Sequence, residues 1–167
     1  MDAARLNGMT IVSVAEAARL GPITDVVFDS EPFRVAALQV RGEGTNFVIP
    51  FDQVRNLGAD AVTVDSSQVT QMASAGGTFD GLPRLSQLLK LKVVDDGGTL
   101  IGLLQSIDLD PATGRVRRLV AHRGGVLGVG GVSTTIAVEA VRSIGADLLT
   151  VAVNASSPKD RDTAKTT

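Results

Sequence analysis

The chain contains VRNLGADAVTV at residues 54–64 and nearly repeats it, as VRSIGADLLTV, at residues 141–151. Both stretches carry the tripeptide Gly-Ala-Asp and close on Thr-Val. The likeness continues upstream, where residues 20–29 align with residues 101–110 at an offset of 81. Because self-similarity at one spacing is the signature of a repeated structural unit, the sequence indicates a duplicated unit of about 70 residues.

The two copies differ in length. Near the start of each copy, IVSV at residues 11–14 aligns with KVVD at residues 92–95, again at an offset of 81. At the closing stretch the offset has grown to 87, so the second copy has gained six residues. The gain falls in the glycine-rich segment RGGVLGVGGV at residues 123–132, whose composition is typical of a turn or a long hairpin loop.

Length and composition restrict the class of protein. At 167 residues, the chain is long enough for one ordinary domain or two small ones. Apolar residues make up 44% of the sequence, as in ordinary globular proteins, and no apolar run approaches the ~18 residues of a membrane-spanning helix. The sequence contains no cysteine, which excludes disulfides and thiolate metal sites and suits a cytoplasmic protein.

Charge is distributed unevenly over the two copies. The net charge is −2, but residues 1–81 carry five basic residues against ten acidic ones, whereas residues 82–167 carry eleven basic residues against eight acidic ones. Opposite charges favour an oriented contact between the copies, either within one chain or in a homodimer. Drift of solvated surface charge after the duplication is the alternative explanation.

The apolar residues recur mostly with the period of two that indicates β-strands. In ITDVVFD at residues 23–29, this alternation places Asp25 and Asp29 on one face, where we expect solvated charges. A different pattern follows in DQVRNLG at residues 52–58, where apolar residues three apart precede a glycine and predict a short helical turn.

Each copy is therefore predicted to form five to six short strands and one short helical turn. Because closure into a barrel removes exposed strand edges, we expect an all-β chain with two tandem small β-barrels. The predicted boundaries are a first barrel at residues 1–66, a linker at 67–81, a second barrel at 82–154 and a disordered tail at 155–167.

The sequence holds few side chains suited to catalysis. His122 is the only histidine, so we expect no catalytic triad, no histidine zinc site and no histidine acid–base pair. There is no Gly-x-Ser-x-Gly elbow, and the glycine-rich segment lacks the lysine of a Walker loop. We expect no enzyme activity, no catalytic residue, no cofactor and no metal site.

The second copy carries one basic cluster, formed by Arg115, Arg117, Arg118, His122 and Arg123. Such a cluster can contact phosphate, and a nucleic-acid role would make binding strongly dependent on salt. The chain has no Trp or Tyr, and its five Phe residues all lie before the second copy, so aromatic stacking platforms are missing there. A solvated strand face, or a surface complementary to the acidic first copy, is the favoured interpretation.

The glycine-rich loop beside this cluster carries the apolar residues Val126, Leu127 and Val129. Exposed, these side chains would form an apolar patch for a partner; folded back, they would cap a barrel. We favour capping. The three residues and the basic cluster together are the candidate interaction surface.

The order of the segments resembles that of the PRC-barrel domain. GMTIVSV, LGPITDVVFD, FRVAALQV, FVIPFDQV and GADAVTV follow one another between residues 8 and 64. The second copy resembles the domain again from residue 92, in KVVDDGGTLIGLLQSIDLDPATGRVRRLVA. Ala137 departs from the usual proline, which the first copy keeps as Pro50.

The resemblance implies a six-stranded barrel that acts as an adaptor docking onto other proteins. Domains of this family occur in the photosynthetic reaction-centre H subunit, where one caps membrane-embedded partners, and in the ribosome-maturation factor RimM, where one contacts a ribosomal protein. The sequence shows neither a transmembrane anchor nor the companion domain of the maturation factor. Neither specific role is therefore transferred to this chain.

We expect a cytoplasmic adaptor whose partner is an unidentified protein, with homodimerisation as a further expectation. Membrane insertion is not expected, although peripheral contact with a membrane complex is compatible with the family. The alternative is an RNA- or ribosome-associated factor that binds through the basic strand of the second barrel. A third hypothesis is a small ligand held between the barrels.

Overall fold

The structure, a computed structural model, describes residues 1–125, 130–153 and 156–158. Within these residues, the strands of the first half are β1 (Thr10–Ser13), β2 (Ala18–Ser30), β3 (Phe33–Arg41), β4 (Asn46–Pro50), β5 (Val54–Leu57), β6 (Ala61–Val64) and β7 (Gln71–Met72). Those of the second half are β8 (Lys92–Asp95), β9 (Leu100–Leu109), β10 (Val116–Arg123), β11 (Val132–Ala137), β12 (Val141–Ile144), β13 (Leu148–Val151) and β14 (Ser156–Pro158).

The helical segments are short. They are 3₁₀ turns at Ala3–Leu6, Phe51–Gln53, Ser67–Val69 and Val138–Ala140, and the α-helix α1 at Leu85–Leu88. None of the helices in the described residues combines the length and the apolar character that crossing a bilayer requires.

The two sheets have the same strand order. It is β5-β6-β1-β2-β3-β4-β7 in the first sheet and β12-β13-β8-β9-β10-β11-β14 in the second. In each sheet the closing strand lies parallel to the opening strand, so Thr10 of β1 pairs with Ala61 of β6, and Lys92 of β8 pairs with Leu148 of β13. The prediction of an all-β chain with two tandem barrel-like units is confirmed.

The near-repeated stretch forms a hairpin in each copy. It supplies β5 and β6 in the first sheet and β12 and β13 in the second. The Gly58 N–H donates to the Ala61 carbonyl at 3.0 Å, and the Gly145 N–H donates to the Leu148 carbonyl at 2.9 Å. The stretch occurs twice because each copy needs its last strand turned back to pair with its first.

The helical turn predicted over residues 52–58 is misplaced. The 3₁₀ turn covers Phe51–Gln53, and the residues that follow form strand β5. The register of β5 against β6 shifts between Val54 and Asn56, which marks a β-bulge, and β12 shows the same shift against β13. Because a bulge adds one residue to the alternation, Val54 and Leu57 lie three apart yet share a face and imitate helical spacing.

Further bulges shape β2. Its register against β3 shifts between Ile23 and Asp25 and again between Val27 and Phe28. Burial is nonetheless continuous from Asp25 to Phe28 instead of alternating. Asp25 is buried because Ser86, which is distant in the chain, bonds to it from the segment that covers this face, so the expectation that Asp25 lies on a solvated face is wrong.

Each sheet buries aliphatic side chains on its inner face. In the first half these include Ile11, Val26, Leu38, Ile49 and Val62, and in the second half Val93, Leu104, Ile107, Leu119, Ile136 and Leu149. Full burial of one such side chain stabilises a fold by about 1.5–3 kcal/mol, so these inward positions dominate the stability of both sheets.

The chain divides into two compact units, each containing one sheet. The first unit comprises Met1–Ser86 and Leu109–Val116, and the second comprises Gln87–Asp108 and the chain from Arg117 onward. Residues 109–116 form the tip of the β9–β10 hairpin, and within the first unit the Val35 N–H donates to the Gly114 carbonyl at 2.8 Å.

The predicted domain boundaries stay a prediction. The segment predicted as a linker, residues 67–81, contains a 3₁₀ turn and strand β7, which pairs with β4. In the tail predicted to be disordered, residues 156–158 form β14 and pair with β11, which differs from that prediction. Residues 159–167 lie outside the described part of the chain.

Candidate functional site

The predicted basic cluster is divided between the two compact units. Arg115 belongs to the first unit, where its backbone forms an isolated β-bridge with Arg34. The second unit holds the other members, all on β10: Arg117, Arg118, His122 and Arg123. The three arginines on β10 are exposed and the histidine is half-buried. The structure thus brings four of the five predicted residues together on one strand.

All three arginines of β10 have interaction partners. Arg118 Nε lies 3.1 Å from Asp108 Oδ2 on the neighbouring strand. Arg123 Nη1 donates to the Leu100 carbonyl at 3.1 Å. An exposed ion pair such as the first contributes only about 0–1 kcal/mol, but it reduces the positive charge that Arg118 can offer to a ligand.

His122 is held through both ring nitrogens. Nε2 lies 3.0 Å from the Gly124 carbonyl oxygen, and Nδ1 lies 3.1 Å from Ser133 Oγ. A carbonyl oxygen can only accept, so Nε2 donates to it, and in the neutral imidazole Nδ1 accepts from the Ser133 hydroxyl. The imidazole therefore fastens the end of β10 to β11.

The loop residues of the candidate surface, Val126, Leu127 and Val129, lie outside the described residues. Beyond the loop, Val132 begins β11, pairs with Arg123 and is 49% exposed. The role of the loop stays a prediction.

A surface that the sequence interpretation missed lies on the outer face of β13, β8 and β9. Leu148 pairs with Lys92, and Lys92 pairs with Leu103, so the three residues form one row across three strands. Paired residues on neighbouring strands project from the same face of a sheet. Leu148 is 42% exposed, Leu103 is 51% exposed and Lys92 is exposed as well. We call these three residues the Leu-Lys-Leu row.

A second row adjoins the first. Thr150 pairs with Val94, and Val94 pairs with Leu100. Leu100 is 38% exposed and the other two residues are half-buried. The two rows together form a surface, named the outer face of the second unit, that carries three exposed leucines.

Two cations border these leucines. Among the residues that the structure describes, neither Lys92 nor Arg123 has a carboxylate within ion-pair distance. Asp95 and Asp96, at the end of β8, already accept backbone N–H groups. Asp147 is exposed and precedes Leu148 in the chain. Within the part of the chain that the structure describes, the outer face therefore presents exposed leucines beside two cations that have no carboxylate partner.

The equivalent row of the first unit has a different character. There Ala61 pairs with Thr10, and Thr10 pairs with Pro22. These residues carry no charge and no large aliphatic side chain. The exposed leucines and the lysine are thus specific to the second unit.

An alignment slip explains why the sequence did not reveal this face. The sequence alignment placed Lys92 opposite Ile11, at an offset of 81. In the structure, Ile11 pairs with Gly21. The equivalent glycine of the second unit, Gly102, pairs with Val93, so Val93 and not Lys92 is the counterpart of Ile11. Strands β1 and β8 therefore correspond at an offset of 82, and a slip of one residue exchanges the two faces of a strand.

Asp25 is buried in the first unit, and both of its carboxylate oxygens accept hydrogen bonds from groups of the same unit. Oδ2 accepts from the Ser86 hydroxyl at 2.6 Å, and Oδ1 accepts from the Ser86 N–H at 3.2 Å and the Val26 N–H at 2.9 Å. Donors of this kind stabilise a buried carboxylate. Asp25 therefore anchors the first turn of α1 to β2.

A groove of about 460 Å³ lies beside β7 in the first unit, with Val27, Val48, Met72, Phe79 and Arg84 among its lining residues. The arginine in its wall already has a partner within the fold. In the part of the chain that the structure describes, no three His, Cys, Asp or Glu residues are grouped closely enough to hold a metal ion.

A family model of the PRC-barrel domain matches residues 1–71 and, a second time, residues 82–157. The chain belongs to the PRC-barrel family. The two PRC-barrel matches coincide with the two copies seen in the sequence and account for the shared strand order of the two sheets. A comparison with curated proteins found no match. The closer likeness to the reaction-centre H subunit and to the ribosome-maturation factor stays a prediction.

Proposed function

We propose that this tandem PRC-barrel protein is a non-enzymatic adaptor that binds another protein through the outer face of its second unit. The observation that carries the proposal is the grouping of Leu100, Leu103 and Leu148, which are 38%, 51% and 42% exposed, on β9 and β13, the two strands that flank β8. Large apolar side chains that are grouped on one surface favour a protein contact, whereas scattered ones are ordinary.

The exposed apolar area of this face is sufficient for only a weak contact by itself. Burial of a fully exposed leucine contributes about 1.5–3 kcal/mol, so covering the exposed parts of Leu103 and Leu148 contributes about 2 kcal/mol in total. That gain is smaller than the cost of association, which is roughly 4–15 kcal/mol. A partner therefore has to add further contacts, and Lys92 and Arg123 are the groups available for them.

The polar side chains support binding over catalysis because they serve the fold. Asp25 accepts from Ser86, and His122 bonds through both ring nitrogens. Glu16 accepts from the Ser13 hydroxyl and from the backbone and side chain of Ser67. Groups engaged in this way are poorly placed to exchange protons with a substrate.

The test is cross-linked capture from the source cells with the full chain as bait, with and without nuclease. We expect recovery of one protein complex that survives nuclease and is lost with the double variant Leu103→Thr, Leu148→Thr. The control variant Thr10→Glu, on the equivalent row of the first unit, retains it. Recovery that disappears with nuclease would contradict the adaptor function.

RNA binding is the second candidate, and the exposed Arg117 and Arg118 on β10 are the observation that favours it. Replacing both with Glu would then lower affinity for all RNA sequences and reduce the dependence of binding on salt. Under the adaptor proposal, the same double variant leaves capture through the outer face intact. RNA titration at two salt concentrations distinguishes the candidates.

A further inference from the structure

The Leu-Lys-Leu row has the spacing of one face of an α-helix. Neighbouring strands lie about 4.8 Å apart, so Leu148 and Leu103 are separated by roughly 9.6 Å, with Lys92 midway. In an α-helix, residues i and i+7 lie on the same side about 10.5 Å apart, and residues i+3 and i+4 lie between them. A helix placed along the row, across the strands, can therefore set one side chain against each member.

We propose that the outer face binds an acidic amphipathic helix of the partner protein, with apolar residues at i and i+7 and Glu or Asp at i+3 or i+4. This inference rests on the proposed adaptor function and specifies the partner's chemistry. The two apolar side chains pack on Leu148 and Leu103, and the carboxylate pairs with the Lys92 ammonium. The aliphatic stem of the lysine completes the apolar contact.

The second row of the outer face widens the surface on which the helix would lie. It lies about 6.6 Å further along the strands, and a helix with its side chains is about 10–12 Å across, so one helix covers both rows. Val94 and Leu100 meet the flank of the helix. Arg123, whose guanidinium bonds to the Leu100 carbonyl, lies at this edge and offers a place for a second carboxylate.

Charge determines the class of partner. Lys92 stands between two leucines and, within the described residues, has no carboxylate partner. An acidic side chain on an apolar helix face neutralises the ammonium while its neighbours cover Leu148 and Leu103. A nucleic-acid backbone would instead place phosphates against these leucines, and leucine side chains cannot replace the hydrogen bonds that the phosphates lose with their water. Protein is therefore the better match.

A second copy of the chain does not supply this chemistry. If two copies met through the same rows, each Lys92 would face a like charge, which opposes binding. If the second copy presented the equivalent row of its first unit, Ala61, Thr10 and Pro22 would bring no carboxylate. No helix in the described residues is longer than four residues, so a helix that spans i to i+7 comes from a different protein.

Three synthetic peptides test the inference against the full chain, with binding followed by fluorescence anisotropy. Each is alanine-based and about 16 residues long, so that it is partly helical in isolation. The first carries Leu at i and i+7 with Glu at i+3 and i+4. The second replaces both Glu by Lys, and the third moves one Leu to i+5, on another side of the helix.

The expected result is binding of the first peptide and much weaker binding of the other two. Lys92→Glu should weaken the first peptide by about three- to tenfold, because an exposed attraction becomes a repulsion of similar size, and should strengthen the lysine peptide. Leu103→Thr and Leu148→Thr should each weaken the first peptide several-fold. Thr10→Glu, in the equivalent row of the first unit, should leave all affinities unchanged, and circular dichroism checks that each variant is folded.

The inference is overturned if no peptide binds at millimolar concentration, if the three bind alike, or if Lys92→Glu fails to exchange the preference between acidic and basic peptides. Those results leave the adaptor function standing when nuclease-resistant capture persists, since another surface would then make the contact. Capture that collapses with nuclease defeats the adaptor function itself. The two experiments therefore fail separately.

Discussion

The two PRC-barrel units share one backbone plan and differ in what they present outward. Inside, Ile11 of the first unit and Val93 of the second occupy the same place, both fully buried and each paired with a glycine. Outside, the first unit presents Ala61, Thr10 and Pro22, where the second presents the Leu-Lys-Leu row. The duplicated inner face maintains the fold, whereas the outer face differs between the two copies.

Two equivalent glycines, Gly21 in β2 and Gly102 in β9, give the largest expected effect and test whether the two units share one backbone plan. Gly21 has φ 142° and Gly102 has φ 154°. An added Cβ would lie 2.1 Å from the Arg41 carbonyl oxygen at the first and 2.6 Å from the His122 carbonyl oxygen at the second. Replacing either glycine by Ala should lower the free energy of unfolding by about 3 kcal/mol or more in urea titrations.

The matched control is Gly44→Ala, since Gly44 also has a positive φ but an added Cβ there meets nothing within 4 Å. This variant should cost only about 1 kcal/mol, from backbone strain alone. If Gly21 or Gly102 behaved like Gly44, the close approach of neighbouring strands would not be a common feature of the two units.

Two adjacent leucines on β13 separate the inner face from the outer face. Leu149 is fully buried, so Leu149→Ala should destabilise the fold by about 2–5 kcal/mol. Leu148 is 42% exposed, and Leu148→Ala should cost less than about 1 kcal/mol while weakening partner binding. Thermal unfolding and peptide anisotropy measure the two effects. Equal destabilisation by both variants would show that Leu148 is a core residue.

The polar anchor of the first unit has a smaller expected effect. Asp25→Ala removes the acceptor for the Ser86 hydroxyl and N–H and should destabilise the fold by about 1–3 kcal/mol. Ser106 occupies the corresponding position of the second copy at the offset of 81, and Ser106→Ala should change stability by less than about 0.5 kcal/mol. Similar losses in urea titrations would mean that both copies depend on a polar anchor there.

The exposed ion pairs of the two hairpins give the smallest expected effect. In the first unit, Arg34 Nε lies 3.1 Å from Asp29 Oδ2. In the second, Arg118 Nε lies 3.1 Å from Asp108 Oδ2. Arg34→Ala and Arg118→Ala should each change the free energy of unfolding by less than about 1 kcal/mol, and less at high salt. A larger, salt-independent loss in either variant would indicate a packing role for that arginine.

The fold was largely predictable because the duplication and the period-two pattern are local features of the sequence. Bulges limited the prediction. The bulge in β5 made Val54 and Leu57 imitate a helical turn. Asp25 is buried for another reason, because Ser86, which is distant in the chain, bonds to it. A bulge changes which residues share a face, and the composition of a strand does not reveal where the extra residue falls.

The outer face could not be predicted for a related reason. Lys92, Leu103 and Leu148 are far apart in the sequence and meet only through the register of three strands. The alignment error at β8 additionally placed Lys92 over a buried position. The basic residues of β10 were recognisable because they are neighbours in the chain, and their role in binding stays a prediction.

Site-specific photo-cross-linking tests the central claim that the second unit, and not the first, carries the docking face. Benzoylphenylalanine would replace Leu103 in one full-length protein and Pro22, its counterpart in the first unit, in another, and both would be irradiated in the source cells. We predict a discrete protein adduct from the probe replacing Leu103, its loss when Lys92→Glu is added, and no such adduct from the probe replacing Pro22. Equal adducts from both probes, an adduct indifferent to Lys92→Glu, or nucleic acid in place of protein would contradict the claim.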